Sequence, residues 1–212
     1  SIMLMAQNAC GFREPGALVK GLYLEEHRRC YDEIISYCNE LAYNGLLRPM
    51  RGKAPADLLF PPMGLCHVEG HSAQNSAGRY NTAEVDAITG WLLHYQAAIV
   101  AYYGAKYQAI EDMVGIITPF VAQKAALPAA LSKAGFWTGK MKIGTVHALQ
   151  GAERPVVLFS AVYGPGDVGT MFFVRDNKPN MLNVAVSRAQ DHFIVFGNKA
   201  ILDKNLPSPS GI

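Results

Sequence analysis

A few short segments carry side chains suited to recognising a charged ligand. Arg188 stands in Leu182-Asn183-Val184-Ala185-Val186-Ser187-Arg188-Ala189, a run that is otherwise apolar and small. A guanidinium on such a helix face needs an anionic partner, because burying it unpaired is costly. Arg29 is placed similarly, between a short apolar segment and the helical pattern that follows it. For each arginine, an internal salt bridge and a bound phosphate are both open readings. Thr145-Val146-His147-Ala148-Leu149-Gln150-Gly151-Ala152-Glu153 gathers a hydroxyl, an imidazole, an amide, a glycine and a carboxylate. Gly151 permits close approach of backbone to a ligand. Glu153 suits a pair of sugar hydroxyls, although a turn with a surface glutamate has the same sequence. In Thr118-Pro119-Phe120, a threonine at a helix start can offer its hydroxyl and N–H to a phosphate, and the aromatic can carry a stacked base. The plainer alternative is a helix cap beside a core phenylalanine.

Other combinations carry less. Cys66, His67 and His71 invite a zinc reading, but no fourth ligand stands at a recognisable spacing, so no metal site is expected. Arg48, Arg51 and Lys53 form a small basic cluster that reads as a solvated loop rather than a phosphate contact. Gly135 to Met141 has the wrong spacing for a GxxxxGKS/T phosphate loop, and neither GxGxxG nor GxSxG occurs.

The elements that must position these residues follow from periodicity. Short apolar runs at 17–24, 63–68, 114–117, 142–146, 156–160 and 192–197 read as strands. Tyr31, Ile34, Cys38 and Leu41 mark one helical face, stopped by Gly45. Val85, Ile88, Leu92, Tyr95, Ile99 and Tyr102 mark a longer helix, opened near Thr82 with Glu84 suiting its dipole. A further helix follows Pro119 and should be kinked or delayed at Pro128. A short one follows Asn180 and reaches Ala189. The segments 48–62, 70–81 and 164–176 read as connections, the last with an apolar Met171-Phe172-Phe173 patch. Strands alternating with helices argue for an α/β sandwich with a mainly parallel sheet, whose ligands bind at the carboxyl ends of the strands. Residues 1–17 read as an irregular lead, 18–205 as the domain and 206–212 as a frayed tail. The Ser1-Ile2-Met3 start reads as the edge of a fragment.

Composition bounds the rest. The 212 residues are half hydrophobic and 17% charged, which supports one packed domain and not a disordered chain. With 19 Lys plus Arg against 17 Asp plus Glu, the net charge of +2 excludes a polybasic arm but permits a local basic groove. The four cysteines form no CxxC pair and read as reduced thiols of a cytoplasmic protein, with nucleoid and nucleus also open. Residues 87–105 lack Asp, Glu, Lys and Arg, yet the amphipathic stripe and His94 argue for a soluble helix and no membrane span. No signal peptide is visible.

Taken in order, Leu24-Glu25-Glu26-His27-Arg28-Arg29-Cys30, Gly115 to Phe120, Thr145 to Glu153 and Leu182 to Ala189 resemble superfamily 1 helicases. They are most similar to the branch that holds the nonsense-mediated-decay RNA helicase and the replicative helicase-nuclease. The likeness runs from about Leu18 to Ala200 and implies the second RecA-like domain, a three-layer sandwich without its own P-loop. It further implies an ATP-dependent helicase in which ATP and Mg sit against a first RecA-like domain of the same polypeptide, with this chain inactive alone. On that resemblance Arg29 and Arg188 are arginine fingers, and Glu153 holds the ribose. Gln150 and Gly151 line the nucleotide, with Arg28 beside the base where the family often has an aromatic. Thr118, Pro119, Phe120, Thr145 and His147 face single-stranded DNA or RNA. Gln190 stands where the family more often has lysine. The other reading is a non-catalytic module that binds nucleic acid or a partner and has kept the fold; a Rossmann enzyme lacks its dinucleotide loop.

Overall fold

A computed structural model describes residues 2–13, 20–21, 25–136, 139–149, 151–167 and 180–202. The expected strand at 17–24 lies largely outside these residues, as do the 171–173 patch, the 206–212 tail and Gln150.

Five parallel strands form the central sheet in the order β3-β9-β8-β6-β7. They are β3 (Met63–His67), β6 (Val114–Ile117), β7 (Lys142–Gly144), β8 (Arg154–Ser160) and β9 (Ala189–Gly197). A strand buried on both faces should point alternate side chains into two cores, and these do. Val156, Leu158, Ile194 and Phe196 join one apolar cluster with Ile88 and Leu92 of α3 (Thr82–Tyr103) and Leu127 of α5 (Val121–Lys133). Val157, Phe159 and Phe193 join the opposite cluster with Ile34, Ile35 and Cys38 of α2 (Asp32–Ala42) and Ala185 of α6 (Asn180–Val186). The result is the expected three-layer α/β sandwich. Leu158 and Ile116 are fully buried at its centre, where truncation of either to alanine costs roughly 2–5 kcal/mol.

Outside this sheet, β1 (Glu26–His27) and β2 (Arg48–Pro49) pair in parallel, so Arg48 begins a strand as well as a connection. The 70–81 stretch is not a plain loop. It contains a hairpin of β4 (Ala73–Asn75) and β5 (Gly78–Tyr80), too short to show an alternating pattern in sequence. Residues Ile2–Ala9 of the expected irregular lead form α1, in keeping with the helix propensity of Leu, Met, Ala and Gln. Two short helices, α4 (Ile110–Met113) and α7 (Lys199–Leu202), complete the set.

Several expected boundaries move. Helix α3 buries Tyr103 and leaves Tyr102 exposed, because the apolar stripe steps by four residues, not three, from Ile99. Asn81 caps it by accepting from the Glu84 N–H at 3.4 Å. Helix α5 runs through Pro128 without ending there. Strand β9 begins at Ala189 rather than His192, so Ala189 belongs to the sheet and not to the helix. Strand β7 stops at Gly144, and Val146–Leu149 folds into a 3-10 turn.

That last difference positions the site. Strand β7 lies at the sheet edge and β8 on the far side of β6, so the chain from Thr145 to Glu153 must cross β6. Glycines make room for it. A Cβ on Gly144 would stand 2.5 Å from the Ala148 Cβ, and one on Gly115 would stand 3.1 Å from Leu149 and 3.2 Å from Arg154. The crossing segment leaves from the carboxyl end of the sheet and arrives at its amino end.

Candidate functional site

The two arginines converge. Arg29 follows β1, Glu153 immediately precedes β8, and Arg188 lies in the turn between α6 and β9. The Arg154 N–H donates to the Arg188 carbonyl at 3.1 Å, and Arg154 pairs with Ala189, which joins the amino ends of β8 and β9. The Arg29 Nε is ion-paired with Glu153 Oε1, and its Nη1 donates to the Ser187 carbonyl at 3.2 Å. Arg188 donates from Nε to the Val184 carbonyl at 3.2 Å and from Nη2 to Ser187 Oγ at 3.3 Å. Both acceptors are neutral, and among the described residues no carboxylate pairs directly with Arg188. Burial, then the charge of Arg29, lowers the pKa of Arg188, with Glu153 opposing. Two guanidiniums therefore lie in the field of one carboxylate, which is ion-paired with Arg29 alone. Neighbouring groups add little charge: burial and Arg29 lower the pKa of His27, and burial pushes the Cys30 thiol up to about 12. Such a cluster carries one net positive charge, and its planar guanidinium donors are of the kind that suits phosphate oxygens.

The remaining residues expected around the nucleotide fall nearby or apart. Gly151 has φ +81, a conformation that glycine adopts freely, and it is exposed. Arg28 is also exposed and donates to Glu26 Oε2 at 2.7 Å.

Residues expected at the strand lie at the opposite end of the sheet. Thr118 follows β6 and Thr145 follows β7, and the Thr118 N–H donates to the Gly144 carbonyl at 3.1 Å. Thr118 and Pro119 are buried, so their side chains are not on the surface. Thr145 and Phe120 are half-buried, and Val121 beside Phe120 is 60% exposed. Phe120 packs edge-to-face on Tyr163, ring centres 5.3 Å apart. His147 lies in the 3-10 turn. Of the expected site residues, this group alone lies at the carboxyl ends of strands. Glu153 and Arg188 occupy amino ends, because their segments enter β8 and β9, and Arg29, which follows β1, joins them through its ion pair with Glu153.

Two supporting residues have roles that the sequence did not show. Gln190 donates from Nε2 to Glu153 Oε2 at 3.2 Å while its Oε1 accepts from the Tyr107 hydroxyl at 3.0 Å. Arg51 is no solvated loop residue. Its Nη1 donates to the carbonyls of Arg29 at 2.8 Å and Gln190 at 2.6 Å, its Nη2 pairs with Asp191 at 2.5 Å, and its guanidinium lies 3.8 Å over the Tyr31 ring. The signal available was weak: Asp191 breaks the apolar run into β9, and a carboxylate there needs a cation. His67 and Cys66 lie on β3, and His67 Nδ1 accepts from the Lys199 N–H at 3.0 Å. Among the described residues, no group of three potential metal ligands converges, and no helix is long and apolar enough to cross a membrane.

Comparison with known proteins follows the same lines. A family model described as an AAA domain matches residues 14–200. A regulator of nonsense transcripts 1 protein from Takifugu rubripes is 28% identical over 203 residues, covering 88% of this chain and 17% of its own. A helicase MOV-10 from Gallus gallus is 27% identical over 206 residues, covering 84% of this chain and 20% of its own. The RNA helicase armi of Drosophila melanogaster is 38% identical over 109 residues, covering 49% of this chain and 9% of its own. The chain thus spans a fifth or less of the length of these curated relatives. Among solved structures, the C-terminal domain of a possible DNA helicase from Lactobacillus plantarum aligns with a TM-score of 0.46 and 16% identity, over 80% of this chain and 86% of that one.

Proposed function

The chain belongs to the AAA-domain family, and from that premise we propose that it is the second RecA-like motor domain of an ATP-dependent DNA or RNA helicase or translocase. Its curated relatives include a regulator of nonsense transcripts 1 and a helicase MOV-10, which agrees with the motif resemblance. The observation that carries the proposal is the meeting of Arg29, Glu153 and Arg188 from three distant segments at one end of the sheet.

In this reading the anion is the triphosphate of ATP, and Mg²⁺ is held by a first RecA-like domain. Charge on the transferring phosphoryl group is stabilised by donors fixed before the reaction, and two guanidiniums supply them. Arg29 and Arg188 act as arginine fingers. Glu153 orients Arg29 through Oε1, and its remaining lone pairs accept the ribose hydroxyls. Gln150 and Gly151 line the nucleotide, and Arg28 lies beside the base, where a guanidinium can stack. At the far end, Phe120, Thr145 and His147 meet a single strand, with Thr118 and Pro119 shaping the turn that presents Phe120. The segment from Thr145 to Glu153 spans both ends, so closure on ATP shifts the grip on the strand. That is a two-state element biased by two ligands.

The pure chain is expected to show no ATPase activity and to gain it only with a first RecA-like domain. Metal-dependent turnover by the chain alone contradicts the half-motor reading.

A further inference from the structure

One carboxylate in the core has no part in the scheme above. Glu84, in the first turn of α3, is fully buried between the sheet and α5. The Val162 N–H donates to both its oxygens at 2.9 Å, and the Ser160 hydroxyl donates to Oε2 at 2.6 Å. Ser160 in turn accepts from Gln123 Nε2 at 2.8 Å. Gln123 also brackets Asn81, accepting its N–H at 2.9 Å and donating to its carbonyl at 3.2 Å, while Asn81 Nδ2 donates to the Val162 carbonyl at 3.2 Å. The network ties the start of α3, the first turn of α5 and the carboxyl end of β8 together. Burial pushes the Glu84 carboxyl up to about 7, against the pull of Ser160 and the Val162 and Ala161 amides.

What the network holds is unusual. Val162 has φ +72, a left-handed conformation that β-branched residues rarely adopt. Strain of this kind persists only where surrounding contacts over-determine it, and here Glu84 and Asn81 grip both sides of the residue. The next residue is Tyr163, on whose ring Phe120 packs. Gln123 lies one turn into the helix that Phe120 opens. Both members of the aromatic pair are therefore set by groups that meet at Glu84.

We propose that Glu84 is a positioning residue for strand binding: through Ser160, Gln123 and the left-handed Val162 it fixes Tyr163 against Phe120 so that the Phe120 ring is presented to a nucleic-acid base. The proposal rests on the reading that Phe120 faces the strand.

The test uses the native full-length protein and a fluorescein-labelled 20-nucleotide single strand, as oligouridine and as oligothymidine. Strand affinity is read by anisotropy, and ATPase by kcat at saturating strand. Glu84→Ala and Ser160→Ala are expected to weaken strand binding about tenfold, the scale of one base stacked on an aromatic, with kcat changed less than about twofold. Glu84→Gln keeps the shape and the acceptor for Val162, and should recover most of the affinity. Adding Phe120→Ala to Glu84→Ala should cost little more than either alone. Wild-type affinity in Glu84→Ala while Phe120→Ala binds weakly overturns the positioning role and leaves the strand face standing. Wild-type affinity in Phe120→Ala overturns the strand face and the proposal with it. Should Glu84→Ala fail to fold by its melting profile, Ser160→Ala decides, and unchanged affinity there counts against the proposal. Additive losses with Phe120→Ala, or no recovery in Glu84→Gln, also contradict it.

Discussion

Arg29 and Glu153 are ion-paired across the junction between the small β1–β2 sheet and the central sheet, and Gln190 holds the second carboxylate oxygen. The pair joins a residue of one sequence motif to the last residue of another. Under the proposed function Glu153 would have two tasks, aiming a guanidinium and accepting sugar hydroxyls.

If Glu153 has both tasks, its loss should appear in two kinetic parameters. Glu153→Gln keeps the size and one acceptor but removes the charge opposite Arg29. The KM for ATP is expected to rise about tenfold and kcat to fall by a similar factor, since ground-state binding and transition-state alignment are both affected. Steady-state ATPase of the native protein checks this. A rise in KM with kcat unchanged would confine Glu153 to the sugar.

Arg51 braces the same site from behind. Removing it takes the donor from Asp191 Oδ1 and from the Arg29 carbonyl in a site where the ion pair is mostly buried, while Tyr103 still donates to Asp191 Oδ2 and the Tyr31 N–H to the Gln190 carbonyl. Arg51→Ala is expected to cost about 3 kcal/mol, or a melting shift of roughly 6–12 °C for a domain of this size. Arg51→Lys should recover only part of this, because one ammonium cannot reach three acceptors held by a planar fork. Thermal denaturation of the three proteins settles the ranking.

Glu84 gives the fold a pH dependence of definite sign. Its carboxyl sits at about 7 in the folded chain, above its ordinary value of 4.5. The folded state therefore binds more protons than the unfolded state between those values, and stability from this group falls as pH rises through them. Across that window the loss should approach about 3 kcal/mol. His192 opposes it, since burial lowers its pKa and favours folding as pH rises. The contribution of Glu84 is isolated by comparing wild type with Glu84→Gln in urea at pH 5 and pH 8. The stability difference between the two proteins should shift in favour of Glu84→Gln at the higher pH. An equal difference at both pH values contradicts the buried titration.

Much of this was legible in the chain. The short, near-continuous apolar runs of β6 and β8 announced strands covered on both faces, and the motif order announced the family. Arg29, Glu153 and Arg188 could each be picked out, but not the contact between the first two, because spacing carries no information about residues from three separate segments. Short elements were lost for a different reason. The β4–β5 hairpin and the 3-10 turn after Gly144 are too brief for a period to emerge, and backbone hydrogen bonds define them instead. Arg51 was misread, and the burial of Glu84 went unforeseen, for a third reason. A charged residue in sequence reads as solvated, and only the position of Asp191 or Ser160 in space shows that it is satisfied inside.

The central claim is that this chain delivers arginine to the γ-phosphate of ATP, and Arg188 tests it most directly, because its described partners are neutral acceptors with no fold-holding ion pair among them. Single-turnover ATP hydrolysis by the native protein, wild type against Arg188→Ala, should fall by roughly 10³ to 10⁵ while single-strand affinity stays within a few-fold. Hydrolysis within a few-fold of wild type, by a variant that folds and binds the strand, would contradict the account.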